Sequence, residues 1–142
     1  MPNTYARIIH KDGIDYLFDI DRLKSLSIGK VYFKAGIKRR TVTDEFLHLE
    51  DGQPSMSVGD LIARKATIIG ATALCETAHT WNFCVYKLGD PTPIVTLPVS
   101  SDTKASNLAL NEDIDASTVL LFKAEGTNIP FPRIMLEIAW RL

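Results

Sequence analysis

The sharpest chemical candidate in the chain is the spacing Cys75-x3-His79-x4-Cys84, which brings two thiols and an imidazole within ten residues of one another. Two thiolates and a neutral imidazole are donors that suit zinc, but a structural zinc site normally takes four ligands. No further cysteine occurs, and His10 and His48 are distant in sequence. The expectation is packed thiols and a histidine in a turn. The same residues could pair a cysteine nucleophile with a histidine base. Such a thiol needs an electropositive, partly exposed setting, whereas both cysteines lie in apolar runs where a thiol serves as a small core residue. Two cysteines are also too few for a disulfide framework, so both read as reduced and structural.

Other chemistries find no seat. Ser55, Ser57, Ser100 and Ser101 fall in turn-like stretches without a Gly-x-Ser-x-Gly elbow. The carboxylates Glu112, Asp113 and Asp115, and the pair Asp19 and Asp21, lack the spacing of a calcium loop and read as solvated. No glycine-rich phosphate cradle is present. The chain therefore reads as non-enzymatic, with no catalytic residue, cofactor or metal. The residues left for partner contact are the one basic cluster, Lys38, Arg39 and Arg40, and Phe131, which Pro130 and Pro132 hold on a stiff loop. Trp81 and Phe83 share a strand face with Val85 and are expected in the core.

These residues must be positioned by strands. The chain has 142 residues, 46% of them hydrophobic and 23% charged, with a formal charge of −1. That composition suits a folded domain and draws it neither to nucleic acid nor to an anionic membrane. No apolar run approaches the ~18 residues of a membrane span, and the first residues lack the pattern of a signal peptide, so the protein is expected to be made in the cytoplasm.

Residues 5–20 read as a hairpin around Asp12-Gly13, a dipeptide that supplies the positive φ a tight turn needs. A strand follows at 28–34, and 41–50 fits either a short helix or a strand. The turn-rich stretch 51–55 reads as a junction, dividing an N-terminal β segment, 1–53, from a β-sandwich domain, 54–142. Beyond it, strands are expected at 61–75, interrupted by Gly70, then at 80–88, 94–99, 108–114, 119–125 and 133–142, with turns at 89–91, 100–102, 115–117 and 126–128. The last strand alternates most clearly: Ile134, Leu136, Ile138, Trp140 and Leu142 point one way, and Arg133, Met135, Glu137, Ala139 and Arg141 the other. One face is therefore expected to be buried.

From Thr80-Trp81-Asn82-Phe83-Cys84-Val85-Tyr86-Lys87, through Pro93-Ile94-Val95-Thr96-Leu97-Pro98-Val99-Ser100, Asn111-Glu112-Asp113-Ile114 and Val119-Leu120-Leu121-Phe122, to the closing Met135-Leu136-Glu137-Ile138-Ala139-Trp140-Arg141, the order of features resembles small virion proteins of tailed bacteriophages. These are the β-sandwich modules of capsid decoration (cement) proteins and fibre tips. Asp115-Ala116-Ser117-Thr118 departs from the glycine turn such modules often carry. The resemblance implies an antiparallel β-sandwich of jelly-roll type, assembly as a homotrimer, location in the virion and contact with a major capsid protein. A receptor- or glycan-binding fibre tip is the alternative. Decoration is preferred because the sequence contains no coiled coil or collagen-like shaft.

Overall fold

Period-2 alternation runs through most of the sequence, and the computed structural model contains strands and no helix among the residues it describes, which are 5–11, 14–19, 30–37, 40–50, 52, 55–56 and 59–141. In chain order the strands are β1 (Tyr5–Lys11), β2 (Ile14–Asp19), β3 (Lys30–Gly36), β4 (Thr41–Val42), β5 (Glu45–Phe46), β6 (His48–Leu49) and β7 (Asp60–Ile62). There follow β8 (Ala66–Lys87), β9 (Val95–Asn107), β10 (Glu112–Ile114), β11 (Thr118–Glu125), β12 (Ile129–Pro130) and β13 (Arg133–Trp140). The fold is all-β, and every pairing is antiparallel.

β1 and β2 form the expected hairpin, from Tyr5↔Asp19 to Lys11↔Ile14, as a two-stranded sheet of their own. The Asp12-Gly13 turn lies outside the described residues, as do Ile28 and Gly29 of the strand expected at 28–34, which is found as β3.

The remaining architecture is organised by β8, 22 residues long. Along one edge β8 pairs with β9, from Ala71↔Asn107 to Val85↔Val95, and with β10 at Ala66–Ile68. Along the other edge it pairs first with β13, from Trp140↔Ala66 to Arg133↔Leu74, and then with β11, from Glu125↔Asn82 to Leu120↔Lys87. Two groups of strands thus share one strand. The break expected at Gly70 does not form, because partners on both edges carry the ladder past it. The irregularity is instead a bulge: Glu137 pairs with Gly70 and Ile138 with Ile68, so Ile69 is the extra residue. Its carbonyl accepts the Leu110 N–H at 3.2 Å.

The turn expected at 100–102 is likewise replaced by strand. β9 continues through it because Thr80 of β8 offers a partner: Thr80 Oγ1 accepts the Ser101 N–H at 2.9 Å, and Ser101 absorbs the misfit with φ of 49°. Among the described residues β9 pairs only with β8, leaving its far edge open, with Pro98 in its first third.

Together with β3 and β5–β7, strands β8–β11 and β13 form one nine-stranded antiparallel sheet with one core, in which Phe83, Val85, Val99, Leu120, Phe122, Leu136 and Ile138 are fully buried. β13 contributes Ile134, Leu136 and Ile138 as its alternation requires. The alternation then breaks, because the bulge buries Ala139 as well, and Trp140 is half-buried against the core's margin. Arg141 ties down the end of this strand, donating from its backbone N to Lys65 O (2.8 Å) and from Nε to Ala66 O (3.1 Å).

The outer edge of β11 would be open without help from residues 41–62. β7 pairs with Thr118–Leu120, β5 pairs with Lys123 and Ala124, and the gap between them at Phe122 is closed by Leu47 and Ser55. Leu47 N–H donates to Phe122 O at 2.8 Å. The fully buried Ser55 hydroxyl donates to the same oxygen at 2.9 Å and accepts the Phe122 N–H at 3.2 Å. A serine expected to be an ordinary turn residue thus substitutes for a missing strand. Gly59 passes so close to β11 that a Cβ there would collide with the Leu120 carbonyl.

Replacing Ser55 by alanine leaves the buried Phe122 N–H without an acceptor and should cost ~1–3 kcal/mol. Urea denaturation of the full chain checks this, and an unchanged midpoint would show that the hydroxyl is dispensable. Gly59→Ala should be at least as damaging, because backbone and not a flexible side chain must give way.

Candidate functional site

The three residues Cys75, His79 and Cys84 all lie on β8, and the structure does not bring them together. Cys75 belongs to the core, with its Sγ 3.2 Å from Thr77 O and 3.5 Å from Asp102 O. Cys84 follows Phe83 on the opposite face, outside the core cluster yet only 1% exposed. His79 lies within the strand and not in a turn. Its Nε2 is 2.7 Å from Thr127 O, so that nitrogen donates its proton to a carbonyl.

Around Cys84 the outer face carries a polar network that sequence reading missed. The Tyr86 hydroxyl donates to Glu125, Lys123 Nζ lies 3.6 Å from Glu125 Oε1, and the same ammonium sits 5.5 Å over the Phe46 ring. Phe46 in turn meets Tyr86 edge-on at 6.2 Å. Hydrogen bonding to Glu125 pushes the Tyr86 hydroxyl well above the usual tyrosine range, with burial adding to it. Burial, followed by the Glu125 charge, pushes the Cys84 thiol up to about 11. A nucleophilic thiol needs the opposite shift. The network can orient and neutralise its own members, and Cys84 within it keeps its proton at neutral pH. Nothing local in the sequence signals a contact across 39 residues.

Of the basic cluster, Lys38 and Arg39 lie outside the described residues. Arg40 is engaged within the chain. Its guanidinium forms two hydrogen bonds with the Glu45 carboxylate and holds that carboxyl below its usual range.

Phe131 is the fourth sequence-predicted contact residue, and its geometry is unusual. Its φ is 48°, in the left-handed region that an aromatic side chain seldom enters. The chain leaves it no alternative. Immediately before it, Pro130 of β12 pairs with Thr41, and immediately after it Pro132 is buried, with its carbonyl accepting the Ile37 N–H at 3.2 Å. Holding a residue there costs ~1–3 kcal/mol, and such strain concentrates at ligand clamps and functional loops. The half-buried ring lines a groove of about 800 Å³ walled by Ile37, Leu49, Leu74, Ile134 and Met135.

In the native protein neither thiol should react with a disulfide reagent at pH 8 on the timescale of minutes, while both should titrate in denaturant. A fast-reacting thiol in the folded chain would contradict their placement. The Cys84 and Tyr86 shifts also have a stability sign. Both groups hold their protons more tightly when folded, so their contribution is complete below the unfolded values and is lost as pH rises through the folded ones.

Compared with known families and proteins, the chain matches no family model, no curated protein and no solved structure.

Proposed function

We propose that this chain is a non-enzymatic structural protein of a phage virion, a capsid decoration protein of β-sandwich, jelly-roll type. In this reading it is made in the host cytoplasm, assembles as a homotrimer and binds the major capsid protein through the side that carries Phe131. The observation that carries the proposal is the strained Phe131 at the mouth of its groove. A ring fixed in space by two prolines loses little freedom on docking, which is what makes an aromatic side chain an effective contact anchor. Two strand groups sharing β8 over one core suit the jelly-roll type. The raised proton affinity of Cys84 fits a role without chemistry.

The receptor- or glycan-binding alternative draws less support. Stacking on a sugar needs an exposed ring, whereas Trp81 is 2% exposed and Trp140 is half-buried against the core.

Purified protein added to particles that lack it should bind the head at regular positions and raise its resistance to heat, because a ligand of the assembled shell stabilises it by mass action. Phe131→Gly should weaken attachment by about 30-fold, the scale of a contact hot spot, while leaving the unfolding midpoint unchanged or raised, since glycine adopts positive φ without strain. Binding to tails or host cells with none to heads would overturn the decoration reading in favour of the fibre tip. Light scattering should give the mass of a trimer, and a monomer at micromolar concentration would remove the oligomeric part.

A further inference from the structure

Residues 37–44 lie as a strap along residues 126–132, antiparallel to them. At one end the Ile37 N–H donates to Pro132 O at 3.2 Å, and in the middle β4 pairs with β12 as Thr41↔Pro130 and Val42↔Ile129. At the other end two side chains take over. Thr43 Oγ1 accepts the Asn128 N–H at 2.9 Å, and Asp44 Oδ1 accepts the Gly126 N–H at 2.9 Å. The Asp44 N–H returns to Gly126 O at 3.0 Å. Main-chain pairing is thin here, because β12 has two residues and one of them, Pro130, has no N–H to give. Arg40 and Glu45, which flank residues 41–44, are hydrogen-bonded to each other and close the strap on itself.

What the strap opposes is backbone strain. Gly126, Asn128 and Phe131 have φ of 149°, 50° and 48°. Glycine and asparagine enter this region at little cost, and phenylalanine does not. Phe131 also precedes Pro132, and a residue before proline is driven to the extended region, at φ of about −120°. Freed from the strap, Phe131 would take that extended form, and its ring would leave its place in the groove wall. The strain is on the order of the net worth of one or two hydrogen bonds. The turn therefore stands close to balance, and two side-chain acceptors are enough to decide it.

We infer that Thr43 and Asp44 are positioning residues for Phe131: their clasp on Asn128 and Gly126 holds the turn in the form that fixes the ring, and loss of the clasp lets Phe131 relax. The inference rests on the reading above for the use made of Phe131, and it names what controls the presentation of that ring. Neither Thr43 nor Asp44 lines the groove, so their effect passes through the backbone of residues 126–131. One equilibrium then governs strap and ring together, and a partner that prefers the clasped form of either favours it in both.

The test uses the full chain, isotopically labelled. Thr43→Val removes one acceptor, and Asp44→Gly removes the other while adopting the φ of 43° found at Asp44 without strain. Each should weaken the strong intraresidue amide–α NOE that positive φ gives Phe131, and each should lower particle attachment. Each should also speed hydrogen exchange at the Ile37 amide by about fivefold, the scale of one hydrogen bond. Ile37 is the reporter because its bond to Pro132 lies on the far side of Phe131 from both substitutions, and the core amide of Leu136 serves as the control for global unfolding. Thr43→Ser and Asp44→Asn keep the acceptors and should match the wild-type signals. Phe131→Gly removes the strain and should slow exchange at Ile37. An unchanged NOE, exchange at Ile37 that only tracks Leu136, conservative variants as damaging as the others, or faster exchange at Ile37 in Phe131→Gly would each overturn the inference. Relaxation of Phe131 with particle attachment unchanged would leave the clasp standing and sink the contact role given to Phe131. Attachment lost with the NOE intact would do the reverse.

Discussion

The rest of the structure depends on the double-edged pairing of β8. A buried backbone must place all its N–H and C=O groups, and a strand of 22 residues has two rows of them to satisfy. β10 and β9 cover one row from Ala66 to Val85, with an irregularity between Leu74 and His79 where β8 has more residues than β9. The other row is divided between β13, which stops at Leu74, and β11, which begins at Asn82. The interval between them cannot be covered by either strand. The 126–131 turn sits there instead, with Gly126 packed on Trp81 and the Thr127 carbonyl held by His79. Phe131 stands immediately beyond. Its placement at the groove is thus a consequence of how two strands share the edge of a third.

The elements legible in the sequence were those whose pattern is intrinsic to a short stretch. The β1–β2 hairpin carries its own turn signal, β13 shows the alternation its buried face requires, and β11 stands out as a short continuous apolar run. The continuity of β8 was not legible. Gly70 looks like an interruption that partners distant in sequence override, whereas the polar run Glu76-Thr77-Ala78-His79 does mark a register shift against β9, which the strand nonetheless passes through. Residues 41–50 were ambiguous for a related reason. They form three two-residue strands, each addressed to a different partner: β4 to β12, β5 to β11 and β6 to β3. No local period can encode that.

The site divides in the same way. The rigidity of Phe131 follows from the tripeptide Pro130-Phe131-Pro132, but its left-handed backbone and its groove depend on pairings on both sides of it. Arg40 read as part of a free basic cluster until folding placed Glu45 against it. The proximity of Leu74, Met135 and Tyr32 is likewise invisible in sequence, because it arises only through the registers of β13 with β8 and β3. The Ser55 plug shows how weak a composition cue can be, since a hydroxyl in a turn-rich stretch turns out to carry two main-chain hydrogen bonds inside the core.

The open edge of β9 bears on how the protein behaves when crowded with its own copies. An unpaired edge of 13 residues is long enough to template the addition of a foreign strand and so to seed fibrous growth. Pro98 offers no N–H to such a strand, and the left-handed Ser101 breaks the flat run of donors and acceptors three residues later. Asp102 and Lys104 add charges of both signs beside that break. The edge is thereby divided into pieces too short and irregular to zip, a safeguard against runaway polymerisation.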